Sequence, residues 1–158
     1  MIHSYDFKDQ DEYRSSFNQL AQLVFGIDFE AWYRKGCWDD RYIGHSIVSG
    51  DQIIANVSVS KMDLTVNGAA RRAIQIGTVM THPDHRGKGL ANQLMKYVLE
   101  TYESACDLLF LFGNSSVLDF YPKFGFTAVP EFEFYMDIAV HSGNGSLMRK
   151  LDVSQEED

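Results

Sequence analysis

The stretch HPDHRGKGLANQL, residues 82–94, decides how the rest of the chain is read. His82-Pro83 closes the apolar run 73–81, because helix is disfavoured before proline. Gly87 and Gly89 then bracket Lys88, with Arg86 in front of them. Directly afterwards Leu90, Leu94, Tyr97, Val98 and Thr101 form one stripe of a helix that starts near Gly89. A helix start presents unpaired N–H groups and a partial positive charge, and glycine lets backbone approach a ligand. Strand, basic glycine loop and helix together suit a diphosphate cradle. Read alone, the same residues also suit a plain helix-start turn. Two phosphate motifs are excluded. There is no GxxxxGK[ST], Leu90 standing where a hydroxyl would be needed, and Asn92 stands where GxGxxG needs its third glycine.

Working outward, residues 2–5 read as a short strand. Tyr13, Phe17, Leu20 and Val24 lie on one face of a helix that Gly26 ends. Asp28 can cap a second short helix carrying Trp32 and Tyr33. Strands follow at 41–49 and 52–64 around the turn Gly50-Asp51, and Asn67-Gly68 marks a second hairpin. Beyond the long helix, DLLFLF at 107–112 reads as a buried central strand. A short helix is expected at 116–123, then strands at 126–138 and 146–153 joined by HSGNG. The order predicts a mixed α/β sheet with helices on its faces.

With 158 residues the chain fits one domain, residues 1–153, followed by the acidic tail 154–158. It is 45% hydrophobic and 23% charged, as expected of a soluble globular protein. No run approaches the ~18 apolar residues of a membrane span. MIHSYDFKDQDEY has neither the basic start nor the apolar core of a signal peptide. Cys37 and Cys106, the only cysteines, suggest reduced thiols and a cytoplasmic protein. A net charge of −8 argues against a nucleic-acid partner, since phosphate binding needs a basic face. It fits a cationic substrate or simple solubility alike.

The sequence resembles the GCN5-related N-acetyltransferase (GNAT) superfamily. The signature Arg/Gln-x-x-Gly-x-Gly/Ala appears as Arg86-Gly87-Lys88-Gly89-Leu90-Ala91 after the strand ending Val79-Met80-Thr81. Downstream stand Asn114, then Tyr121 seven positions on, then Gly125-Phe126. The match is specific over residues 43–127 and loose elsewhere.

The resemblance implies a mixed, mostly antiparallel sheet of about seven strands, splayed between the fourth and fifth. It implies acetyl transfer from acetyl-CoA, with no metal, to a primary amine by direct attack. Residues 86–91 would hold the pyrophosphate, and the main chain of Val79, Met80 and Thr81 the pantetheine arm, with an N–H near Val79 polarising the thioester. Tyr121 would be the general acid for the departing thiolate, and Asn114 a coenzyme or substrate contact. By itself Tyr121 also reads as a core aromatic beside Phe120 and Phe124, and Asn114 as a strand-end turn. Where some members carry a glutamate base this chain has Gln75, which can only position a water.

Phe25, Asp28, Trp32 and Phe134 are candidate acceptor contacts, though each also reads as packing or capping. His82, Asp84 and His85 lie in one turn without a matched fourth metal ligand. Cys106 reads as an inert strand residue. The expected acceptor is a small-molecule or peptide amine, and a homodimer is common in the family. The alternative is a non-catalytic acyl-CoA-binding domain acting through a partner protein.

Overall fold

In the computed structural model the described residues are 2–5, 7–114, 117–133 and 135. Among these residues five strands lie in the order β1 (Ile2–Tyr5), β2 (Tyr42–Ser49), β3 (Gln52–Val66), β4 (Ala69–Thr81) and β5 (Leu108–Leu111). The first three pairings are antiparallel, β2–β3 and β3–β4 through hairpin turns, whereas β5 runs parallel to β4. A parallel neighbour needs a crossover, and α3 (Leu90–Tyr102) supplies it. Before β2 come α1 (Asp11–Phe25) and α2 (Glu30–Arg34). The fold is therefore a mixed α/β sheet carrying helices.

Each element follows from local chemistry. The helix α1 buries Phe17, Leu20 and Ala21 and ends at Gly26, whose N–H closes on the Gln22 carbonyl. The N-cap of α2 is Phe29 rather than Asp28, whose carboxylate, one residue earlier, accepts the Glu30 N–H at 2.6 Å. On α3 the buried stripe is Leu94, Met95 and Val98. Thr101 is exposed, its hydroxyl folded back onto the Tyr97 carbonyl.

Two cores lie on the two sides of the sheet. Against α3 pack Ile47, Val57, Val59, Ile74 and Ile76. Against α1 pack Phe7, Trp38, Tyr42, Ile53 and Met80. A Cβ on Gly44 would sit 2.6 Å from the Phe7 ring, so only glycine lets that ring lie on β2.

Three expectations change. The strand at 107–112 is shorter, and Leu108 and Phe112 are exposed, because among the described residues it pairs only with β4. In place of a helix at 116–123, the described residues 117–124 carry turns and a 3₁₀ turn, Tyr121–Phe124, since Pro122 lacks the N–H a longer helix would use. Residues 126–133 form neither helix nor strand. The remainder of the expected late strands, together with Phe134, Ser116 and the tail 154–158, lies outside the described residues. Residues 1–127 make one compact unit and 128–158 a second.

Candidate active site

The site begins where the ladder between β4 and β5 stops. Its last pair is Ile76 with Leu111, while β4 runs on to Thr81. On the other edge, β3 stays paired with β4 but skips a residue. Asn56 faces Met80 and Ser58 faces Gly77, so Thr78 and Val79 together oppose Val57. His82 donates its N–H to the Ile54 carbonyl at 2.8 Å. Alternation along an antiparallel ladder then makes Met80 and Gly77 the residues bonded to β3, and gives Thr78 and Val79 no place in it.

This bulge re-aims the strand. Ile74, Ile76 and Val79 belong to the core under α3, whereas Met80 belongs to the core under α1. The device rests on Thr78, whose φ of 47° is left-handed. A β-branched residue there is strained, by about 1–3 kcal/mol. Side chains compensate: the Tyr42 hydroxyl and Thr78 Oγ1 are 2.7 Å apart, and Asn56 Nδ2 donates to the Thr78 carbonyl at 3.0 Å.

At the end of β4 the chain turns through a 3₁₀ turn, Pro83–His85, which His82 caps by accepting the Asp84 N–H on Nδ1. Gly87 and Gly89 follow at φ 74° and 76°, values that disfavour any side chain. Gly89 is the N-cap of α3 and offers no capping side chain, so the first N–H groups of the helix have no intrahelical partner. The Arg86 guanidinium donates to the Thr81 carbonyl at 3.3 Å, tying the loop to β4. Lys88 turns toward His85, with 3.5 Å between Nζ and Nδ1.

These pieces surround a cavity of about 850 Å³. It gathers Val79, Met80, Thr81, Arg86, Gly87, Gly89, Leu90, Ala91, Asn114, Tyr121 and Phe25. In a chain of net charge −8, no carboxylate is among the described residues lining it, and Arg86 contributes a positive charge. Tyr121 is half-buried on its 3₁₀ turn, edge-on to Phe120 and Phe126. Burial pushes its phenol above the ordinary value, so it keeps its proton at neutral pH.

Other expected residues lie elsewhere. Lys88 is not on the cavity wall. Gln75 sits in the fully paired part of β4, between Ser60 and Phe110. Asp28 accepts the Glu30 N–H at the start of α2, and Trp32 stacks on Trp38 at 5.8 Å in the aromatic core. Cys106 precedes β5, gives its thiol hydrogen to the Tyr102 carbonyl and is pushed up by burial, so it stays a thiol. Thr78, Val24, Phe112, Val117 and Phe120 also line the cavity and are not singled out by sequence. The Phe112-Gly113-Asn114 run holds a partial signal for the wall, whereas nothing local marks Thr78.

A family model described as an acetyltransferase (GNAT) domain matches residues 2–129. The chain belongs to this family. Solved structures share the GNAT fold at low identity. A transcriptional regulator from Bacillus halodurans C-125 is 22% identical, over 87% of this chain and 99% of its own, with a TM-score of 0.65. A predicted acetyltransferase with acetyl-CoA from Clostridium acetobutylicum is 20% identical, over 86% and 95%, at 0.64. An aminoglycoside acetyltransferase from an uncultured soil metagenomic sample, in complex with sisomicin, is 15% identical, over 88% and 96%, at 0.65. No curated protein sequence matches the chain. At these identities the likeness is one of fold, and the GNAT assignment itself rests on the family match.

Proposed function

We propose that this GNAT domain is an N-acetyltransferase that moves an acetyl group from acetyl-CoA to a primary amine by direct attack. The observation that carries the reading is the meeting, around one cavity, of the free end of β4, the basic start of α3, and Asn114 with Tyr121. The walls fit an anionic coenzyme, since they combine unpaired helix N–H groups and Arg86 with no described carboxylate.

Acetyl-CoA would bring the activated thioester, and the chain would supply the rest. The N–H groups of residues 86–91 and the Arg86 guanidinium would hold the diphosphate, with Lys88 adding charge at the rim. In this reading β4 and β5 part beyond Ile76 and Leu111, and the main chain of residues 79–81 binds the coenzyme arm like an added strand. The Val79 N–H would polarise the thioester carbonyl. The Tyr121 hydroxyl would give its proton to the departing sulfur as the amine nitrogen takes the acyl carbon and loses a proton to water, from which the phenolate is reprotonated. Asn114 would contact coenzyme or acceptor. Gln75, away from the wall, could act only through water.

The acceptor class proposed is a small-molecule amine, in keeping with the sisomicin-bound relative, and Phe25 is the acceptor contact favoured by its place on the wall. The wider reading is of one GNAT domain over residues 1–153 with a sheet of about seven strands. The free thiols Cys37 and Cys106 suit a reducing cytoplasmic setting.

Acetyl-CoA at about 100 times its Kd should stabilise the protein by about 2.7 kcal/mol and raise Tm by several degrees. Tyr121→Phe should lower kcat at least ~100-fold with coenzyme affinity kept. CoA release over a panel of amines reads the turnover. No thermal shift at millimolar acetyl-CoA would overturn the assignment, whereas a shift without turnover on any amine would leave a coenzyme-binding module.

A further inference from the structure

On the strands under α1, Tyr42, Ser46, Asn56 and Ser58 are buried, the last two wholly shielded from solvent. They form one connected set. Ser46 Oγ donates to Asn56 Oδ1 at 2.8 Å, which fixes the amide so that Nδ2 points the other way. That nitrogen donates to Ser58 Oγ at 2.9 Å and to the Thr78 carbonyl at 3.0 Å. The Tyr42 hydroxyl meets Thr78 Oγ1 at 2.7 Å.

A buried polar set of this kind adds little net stability over a well-packed apolar core. Its geometry has a different outcome: both ends converge on Thr78, the strained residue of the bulge, which lines the cavity beside Val79. One partner grips the hydroxyl and the other the carbonyl, so the peptide joining Thr78 to Val79 is held at its oxygen. The N–H of that peptide belongs to Val79. Its direction is therefore set from inside the sheet rather than by the ladder.

We propose that Tyr42 and Asn56, with Ser46 and Ser58 behind them, are positioning residues that clamp the Thr78 bulge and aim the Val79 N–H into the cavity. The proposal rests on the N-acetyltransferase reading and extends it to four residues that touch no substrate. Relaxing the clamp would let the Thr78–Val79 peptide rotate, leaving the loop at residues 86–91 and its grip on the diphosphate intact.

The test is the carbonyl stretch of acetyl-CoA carrying carbon-13 at the thioester, measured by infrared difference spectroscopy on the bound coenzyme, with no acceptor present. Wild-type protein should lower that stretch relative to free acetyl-CoA. Tyr42→Phe and Thr78→Val, which keep shape and lose one hydroxyl, should each lose most of the shift. Thr78→Ser should retain it, and the Tyr42→Phe/Thr78→Val double variant should fall no further than either single change. Acetyl-CoA affinity should stay within about threefold throughout. Asn56→Ala should act alike, and the two hydroxyl variants carry the test if it does not fold. An equal stretch in wild type and variants would overturn the clamp while leaving the acetyltransferase reading to its turnover assay. Failure of the wild type to bind acetyl-CoA at all would overturn both.

Discussion

The two faces of the sheet bury similar strands and do different things. Under α3 the contact is aliphatic: Val57, Val59, Ile74 and Ile76 against Leu94, Met95 and Val98. Under α1 it is aromatic, with Phe17, Phe29, Trp32, Trp38 and Tyr42 in mutual edge and stacking contacts. Next to those rings sits the closed polar set around Asn56. The aliphatic face holds the sheet together and fixes the helix whose N-terminus opens on the cavity. The other face fixes the conformation of one residue, Thr78. Both faces bury a core, and the one under α1 also hydrogen-bonds Thr78.

The largest expected effect belongs to the aliphatic face. Leu94→Ala, fully buried in wild type, should cost about 3 kcal/mol by denaturant titration. The folded fraction should keep its acetyl-CoA affinity. A loss of affinity matching the loss of stability would break the division between the faces.

Next comes His45, also on the α3 side, where Nε2 meets the Tyr102 hydroxyl at 3.0 Å and the ring lies edge-on to Tyr97. Its Nδ1 has no partner among the described residues. Burial, with the Lys61 charge adding to it, lowers the imidazole to about 4 from an ordinary 6.5. The folded state therefore prefers the neutral ring. Its contribution should be complete above about pH 6.5 and lost as pH falls toward 4, on the order of 3 kcal/mol in all. Denaturation midpoints across that window should lose this slope in His45→Phe.

The smallest stability effect should come from Tyr42→Phe, about 1 kcal/mol for one hydroxyl contact. It sharpens the comparison because the same change should be large in the infrared measurement. A mutation cheap in stability and costly at the thioester is the opposite of Leu94→Ala.

Much of this was legible from local pattern. The helix α1 and its stop at Gly26, the turn at Gly50-Asp51, the hairpin at Asn67-Gly68 and the start of α3 at Gly89 each follow from a residue whose backbone preference acts at its own position. The glycine loop, Asn114 and Tyr121 were readable as a set, and they line one cavity. Gln75, Asp28 and Trp32 were readable as residues but not as places. Gln75 was singled out by the family resemblance and the other two by their place on the first helices, while the sheet and the aromatic core put all three off the wall.

The alternation Ala55-Asn56-Val57-Ser58-Val59-Ser60 shows the limit most clearly. By itself it describes a strand with one dry face and one wet face. In the folded chain Asn56 and Ser58 are as buried as Val57 and Val59, because α1 and its rings cover the side that the pattern would leave to water. The sequence by itself determined the elements, their turns and the basic helix start, since those depend on residues adjacent along the chain. Only the tertiary structure decided that β4 bulges at Thr78. That depends on Tyr42 and Asn56, 36 and 22 positions away, supplying hydrogen bonds to a strained residue that no local preference would choose.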